Sequence, residues 1–178
     1  MNISDIVTII KDFGVGGIIG GIAVSWYKSY SDEKCLKKSI ANALIAEMSS
    51  LRDSWKKSNS GGLKAVVDFN PYANVPFWKV EGNYFIVFDN NCDKIGAFGS
   101  EDIKKLTSLY TEAKGFVDSL RTWSKMVDNF REDIAKDLRY ADIYKPKLLY
   151  YYNNILVQSQ DMLFVKMEDV IDRLKKYT

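Results

Sequence analysis

The sequence predicts an all-α protein in which an N-terminal glycine-rich membrane helix precedes an antiparallel bundle of three long helices with an aromatic-rich irregular insert. Three observations lead to this prediction. Apolar residues recur every three or four positions over long stretches, which is the period of an amphipathic helix. A run of 15 residues near the N-terminus carries no charge. No second segment offers a convincing strand for pairing into a sheet.

The uncharged run spans Phe13–Tyr27 and reads FGVGGIIGGIAVSWY. As a helix it covers about 22 Å, which is less than the ~30 Å hydrocarbon core of a bilayer. A membrane span therefore needs apolar neighbours upstream, at Ile6–Ile10, and a snorkelling Lys28 downstream. We expect a membrane-inserted anchor. Two alternatives stay open: a signal peptide cleaved near Ser25, and a buried helix or glycine-rich loop of a soluble protein.

Glycines in this run follow the spacing of helix-packing motifs. Gly16 and Gly20 form one GxxxG pair, and Gly17 and Gly21 form a second pair on the adjacent edge, extended by Ser25. Each glycine costs up to about 1 kcal/mol against alanine in a soluble helix. In a bilayer, small residues at this spacing allow two helix backbones to approach closely. We expect these five residues to form a homo-oligomer through the N-terminal helix.

The residues after the run predict a membrane interface and an orientation. Trp26, Tyr27 and Tyr30 are typical of an aromatic belt, and Lys28 can reach the lipid head groups. One lysine precedes the run, whereas four follow it closely: Lys28, Lys34, Lys37 and Lys38. The positive-inside rule then predicts a single span in the inner (cytoplasmic) membrane with a cytoplasmic C-terminal domain. The lipid bilayer is thus an expected partner.

The next element is an amphipathic helix that reaches about Lys57. Ser31-Asp32-Glu33 is typical of a helix start, although the helix can also continue from the membrane helix without a break. We divide the chain into residues 1–30, the membrane helix, and residues 31–178, the bundle domain. Glu47 lies beside the apolar stripe and is expected to be paired or solvated. The stripe itself consists of Leu36, Ile40, Leu44, Met48, Leu51 and Trp55.

An irregular insert is predicted between residues 58 and 100. It begins at the glycine and serine break of residues 58–62 and contains Pro71 and Pro76. The run Tyr84–Phe88 (YFIVF) is compatible with a buried strand, but short helices and turns are preferred because nothing pairs with it. The insert is rich in aromatic residues, which either close the end of the bundle or line a ligand pocket.

Two further helices complete the bundle. Ser100-Glu101-Asp102 is expected to cap a helix of about 40 residues, whose stripe runs from Ile103 to Ala141. Pro146 is expected to open the final helix, since proline is favoured in the first turn. A short turn at Tyr144–Pro146 would make these two helices an antiparallel hairpin. The final stripe consists of Leu149, Tyr152, Leu156, Leu163, Met167, Val170 and Leu174.

The composition argues against catalysis. The chain contains no histidine, and its two cysteines, Cys35 and Cys92, lie far from any zinc-binding spacing and are expected to be reduced. The glycine run lacks the Gly-Lys-Ser/Thr ending of a phosphate loop. Paired carboxylates such as Glu132-Asp133 point in different directions on a helix. We therefore predict that the protein is not an enzyme and has no catalytic, cofactor or metal site.

Net charge argues against a nucleic-acid partner. The formal net charge is only +2, whereas nucleic-acid binders are strongly basic. Residues 28–64 hold eight Lys/Arg against four Asp/Glu, and next to an apolar helix this excess is better explained by anionic lipid head groups.

The segments ANALIAEMSSLRDSW and PFWKVEGNYFIVFDNNCDKIGAFGSEDIKKLTSLYTEAK follow the apolar N-terminal helix. This arrangement resembles a broad group of small, poorly characterised bacterial and prophage membrane proteins with one N-terminal span and a helical cytosolic domain. The resemblance covers about two thirds of the chain and implies a membrane-tethered helical domain with phage-related roles. It implies no catalytic residue. The matching residues are Phe85, Asn90, Ile95, Gly96, Phe98, Ile103, Leu106 and Tyr110.

Three functions are compatible with these observations. The first is a membrane-anchored, oligomerising interaction or sensor protein that binds an unidentified protein partner, with phage exclusion or anti-phage defence as the specific expectation. The second is a pore-forming effector in which several glycine-rich helices line a channel. The third is a soluble helical structural or virion component whose glycine helix is buried against partner chains.

Overall fold

The computed structural model describes residues 15–58, 63–66, 75–78, 80, 82 and 84–178, without the side chains of residues 15–24, 26, 27 and 58. Within these ranges the protein is all-α and has no strand, as predicted. The helices are α1 (Val15–Ser58), α2 (Ile86–Asn90), α3 (Ser100–Lys136), α4 (Tyr140–Tyr150) and α5 (Gln158–Leu174). A π-helix (Tyr151–Val157) joins α4 to α5, and 3₁₀ turns lie at Ile95–Ala97 and Lys175–Tyr177.

Helix α1 runs without interruption for 44 residues. The prediction of a helix start at Ser31 is therefore wrong, and the alternative of a continuous helix is confirmed. Residues 26–30 contain neither glycine nor proline, so nothing stops the helix before the Ser-Asp-Glu sequence. The predicted boundary between residues 30 and 31 falls inside α1. The proposed break begins at the end of α1, and residues 59–62 lie outside the described part of the chain.

The turn between the last two long helices lies earlier than predicted. It is formed by residues 137–139, and Pro146 lies inside α4 rather than at a helix start. Asp137 forms the turn, because its carboxylate accepts the backbone N–H of Arg139 at 2.9 Å and its carbonyl accepts the N–H of Tyr140 at 3.1 Å. Pro146 has no N–H to donate to the carbonyl of Asp142, so α4 lacks one intrahelical hydrogen bond in its interior.

Side-chain pairs show that neighbouring helices run antiparallel. Along the α3–α5 contact, Lys105 pairs with Asp169 at 2.6 Å, and Glu112 pairs with Lys166 at 2.6 Å. Nearer the turn, the hydroxyl of Tyr144 in α4 donates to Asp133 in α3 at 2.7 Å. Later residues of one helix thus meet earlier residues of the other. The contact of α1 with α5 has the same sense, since Arg52 contacts Glu168 and Lys56 lies over Phe164.

The predicted apolar stripes form most of the core. In α1 the buried residues start at Ile40, whereas Leu36 is exposed. In α3 the sequence pattern missed Leu109, Phe116 and Trp123, which widen the buried face. The fully or nearly fully buried large side chains are Trp123, Tyr110, Phe130, Leu44, Met48, Leu106, Leu109, Leu148, Leu156, Leu163, Met167 and Leu174.

Helix α1 is not a membrane span. In the part of the chain that the structure describes, no helix combines the length and the apolar character that crossing a membrane requires. The prediction of a single-span inner-membrane protein is therefore wrong. The reason is that the uncharged run ends at Tyr27, and Lys28, Asp32, Glu33 and Lys34 follow it within the same helix. Charged side chains are costly inside a bilayer.

Leu44→Ala tests where α1 packs on the bundle. Leu44 has no exposed surface, and we expect its truncation to lower the free energy of unfolding by about 2–5 kcal/mol. The matched control is Leu36→Ala on the same helix, which should change stability by roughly 0.5 kcal/mol or less because Leu36 is exposed. Urea unfolding followed by circular dichroism measures both. Equal losses for the two variants would contradict the packing described here.

Candidate functional site

The residues predicted from the sequence to pack and to contact lipid all lie on the first part of α1. Gly16, Gly17, Gly20 and Gly21 belong to one uninterrupted helical backbone, so the two members of each pair share a face. Further along the same helix, Ser25, Lys28 and Tyr30 are exposed. The backbone of Trp26 and Tyr27 is helical, and their side chains lie outside the described part. The lipid-interface role predicted for these aromatic and basic residues followed from the predicted membrane span, which α1 does not form.

We call residues 15–39 the projecting segment. Every side chain from Lys28 to Ser39 is exposed or half-exposed, and burial starts at Ile40. The two large apolar side chains, Tyr30 and Leu36, are 68% and 42% exposed. At 1.5 Å per residue the segment is about 37 Å long. The bundle therefore carries a long helical extension whose described side chains from Lys28 onward do not belong to its core.

The insert is fastened to the bundle by side chains that bind its backbone. Asn153 accepts the N–H of Val66 at 2.9 Å and donates to the carbonyl of Val66 at 2.8 Å. Gln160, only 1% exposed, accepts the N–H of Leu63 at 3.0 Å. These contacts replace a strand partner. Two side chains of α3 also bind the backbone of the insert. Trp123 donates a hydrogen bond to the carbonyl of Pro76 at 2.7 Å, and Ser124 donates one to the carbonyl of Trp78 at 2.6 Å.

Glu47 anchors the end of the insert to α1 and α3. Its carboxylate accepts the N–H groups of Val87 at 2.6 Å and Phe88 at 3.2 Å, and the hydroxyl of Tyr110 at 2.7 Å. Burial and the bond to Glu47 raise the pKa of Tyr110, so its hydroxyl stays protonated and donating. The expectation that Glu47 is paired is thus confirmed. The run Tyr84–Phe88 ends in helix α2, and the preference for a short helix over a strand is confirmed as well.

A cavity of about 250 Å³ lies between α1, α3, α5 and the insert. We call it the aromatic cavity, because five of its described lining residues are aromatic: Trp55, Phe77, Trp78, Tyr84 and Phe116. Leu63, Val80, Val117 and Leu120 add apolar surface, and Ser54 and Gln160 add polar groups. The aromatic residues of the insert fall into two groups. Phe85, Phe88 and Phe98 are buried in the core, whereas the residues nearer its middle line a cavity.

Asp102 is a buried carboxylate that holds the C-terminus. Only 4% of its surface is exposed, and it bonds to Lys176 at 2.6 Å and to the hydroxyl of Tyr177 at 2.7 Å. Burial raises the pKa of Asp102, but the hydrogen bonds from Lys176 and Tyr177 and the charge of Arg173 outweigh it and hold that pKa below its ordinary value. The same hydroxyl accepts the N–H of Gly99 at 3.1 Å. From the sequence, Asp102 is expected only to contribute to a helix cap.

Two further carboxylates of the bundle have hydrogen-bonded partners. Asp133 bonds to Tyr144 and Lys136, and Asp169 bonds to Lys105 and Arg173. Cys35 and Cys92 are unpaired and exposed. Among the described residues there is no group of histidine, cysteine and carboxylate side chains that could hold a metal ion. The candidate functional features are therefore the projecting segment and the aromatic cavity.

Comparison with known proteins adds no relative. No protein-family model, no curated protein and no solved structure matches the chain.

Asn153→Ala tests the fastening of the insert. The variant leaves the N–H and the carbonyl of Val66 without their partner, and we expect a loss of about 1–3 kcal/mol in the free energy of unfolding together with faster proteolysis near residue 66. Asn154→Ala is the matched control, because Asn154 is the exposed neighbour and bonds only within its own helix. Proteolysis at equal rates in both variants would contradict the fastening role.

Tyr177→Phe tests the C-terminal contact and its pH dependence. Because the pKa of Asp102 is lower in the folded state, its charge stabilises the protein above the ordinary carboxyl pKa, and this contribution fades as the pH falls through the folded value. We expect the variant to lose about 1–3 kcal/mol of its free energy of unfolding at pH 7 and a smaller amount at about pH 3. Tyr150→Phe, at a 64% exposed position, is the control. A loss that does not change with pH would contradict this role of Asp102.

Proposed function

We propose that this chain is a non-catalytic interaction protein that self-associates through the projecting segment of α1. The observation that carries the proposal is the continuity of α1 beyond the bundle, from Ile40 back to Val15. Isolated helical segments in water are marginally stable, and most helix stability comes from packing an apolar or close-fitting face. A second copy of the same helix supplies such a face.

The pattern of small residues supports a second copy as the occupant. Gly16 and Gly20 present one small-residue edge, and Gly17, Gly21 and Ser25 present the next. In a helix this spacing produces a groove into which an identical groove fits, because both backbones approach closely. The glycines destabilise a solitary helix by up to about 1 kcal/mol each. Association offsets that cost, since it brings the two backbones into contact.

The charged residues that follow the glycines indicate that this part of α1 is in contact with water. Glu33 pairs with Lys37 at 2.6 Å within α1. Lys28, Asp32 and Lys34 are exposed. In a paired assembly these charged residues therefore stay hydrated between the associating glycines and the bundle. The bundle surface and the insert are then free to meet a different protein.

The test is the mass of the full-length protein in solution. Gly16→Leu combined with Gly20→Leu places two bulky side chains on one edge, and we expect the oligomer to become a monomer. Light scattering after size-exclusion chromatography measures the mass, and sedimentation velocity checks it over a tenfold range of concentration.

The matched control is Gly96→Leu combined with Gly115→Leu. Both glycines lie in the bundle domain, and a Cβ atom added at either one has no other atom within 4 Å. This variant should keep the mass of the natural protein. A monomeric natural protein, or an oligomer that survives the Gly16 and Gly20 substitutions, contradicts self-association through this edge. In that case the third function, a structural component packed against different chains, gains support.

A further inference from the structure

The aromatic cavity has the volume of a small-molecule site. It measures about 250 Å³, whereas a protein cavity of about 150 Å³ is sufficient to hold benzene. Its size therefore fits a molecule of one or two fused rings. Ser54 lies at the cavity and is exposed at the protein surface, so a ligand has a route of entry beside α1.

The walls are aromatic rings that other rings hold in place. Trp55 packs edge-on against Phe116, with ring centres 5.2 Å apart. Trp78 is stacked on Tyr152 at 6.3 Å, and Tyr152 in turn contacts Trp123 at 5.3 Å. Aromatic rings prefer stacked or edge-to-face partners. A wall of fixed rings therefore favours a flat aromatic guest over a saturated one of the same size.

The polar groups of the cavity favour a neutral ligand that accepts a hydrogen bond. None of its described lining residues is charged. Gln160 is almost completely buried, and its oxygen is engaged by the N–H of Leu63. The carboxamide still has two N–H donors, and no acceptor for them is observed among the described residues. A carbonyl oxygen on the ligand would fill that role.

A π-helix next to the cavity also supports a binding site there. Residues Tyr151–Val157 form a π-helix, a rare conformation that is frequent at functional sites. It carries Tyr152, which supports the Trp78 wall, and Asn153, which fastens the insert. Gln160 follows in the first turn of α5. One local irregularity thus positions three of the groups that shape the cavity.

From these observations we propose that the aromatic cavity binds a small, neutral, planar aromatic molecule that carries a carbonyl acceptor. The site lies in the bundle and is independent of the projecting segment, so it does not rest on self-association. Its occupant stacks between the wall rings and accepts a hydrogen bond from the carboxamide of Gln160.

The probe is coumarin, a neutral planar bicycle with a lactone carbonyl, and its saturated counterpart octahydrocoumarin is the matched control ligand. Both are titrated into the full-length protein and followed by saturation-transfer NMR. We expect coumarin to bind and octahydrocoumarin to bind at least tenfold more weakly. Absence of coumarin binding, or equal binding of the two compounds, overturns the proposal.

Two variants locate the bound probe. Ser54→Trp narrows the entry, and Ser50→Trp places the same side chain one turn away, at an exposed position that does not line the cavity. We expect a loss of at least tenfold in coumarin affinity for Ser54→Trp only. Val117→Phe fills the cavity from α3 and should cause the same loss, so the test survives if either variant fails to fold, as circular dichroism will show. Undiminished binding in the folded variant overturns the location.

Discussion

Hydrogen bonds from helix side chains to the backbone of the insert are the interaction on which the rest of this structure depends. The insert has no strand partner in the described part of the chain, so its buried N–H and carbonyl groups need acceptors and donors from elsewhere. Asn153 of the π-helix, Gln160 of α5 and Trp123 of α3 supply them, and Glu47 supplies them from α1. The aromatic cavity exists because these bonds hold the insert over the bundle while its side chains point between the helices.

Helix α1 has two parts that differ in their packing. From Ile40 to Leu51 its apolar stripe is buried against the bundle, and this part fixes the direction of the helix. Before Ile40 the helix continues without that support, although its glycines weaken it. A helix rich in glycine keeps its shape outside a bundle only where something packs against it. The low stability expected for an unsupported glycine-rich helix is therefore the main argument that the projecting segment associates with a second copy.

The period of apolar residues predicted the long helices well, because burial on one face leaves a direct trace in the sequence. Local signals were weaker. Pro146 suggested a helix start, but the side chain of Asp137 formed the turn nine residues earlier. The 15-residue uncharged run suggested a span, yet hydropathy depends on length and on neighbouring charges as well as on the run itself. The partners of Asp102 and Gln160 were unpredictable, because residues 75 and 97 positions apart meet only after folding.

The two candidate functional features lie on one helix but are separated in space. Trp55 of the cavity and Ile40, where the projecting segment ends, are separated by about 22 Å along α1. Between them Leu44, Met48 and Leu51 are buried in the core, so the helix cannot shift without disturbing close-packed side chains. Changes at such distant sites are ordinarily additive. A ligand in the cavity would therefore alter association of the glycine edges only if it moved α1 as a whole, and the buried middle of the helix opposes that movement.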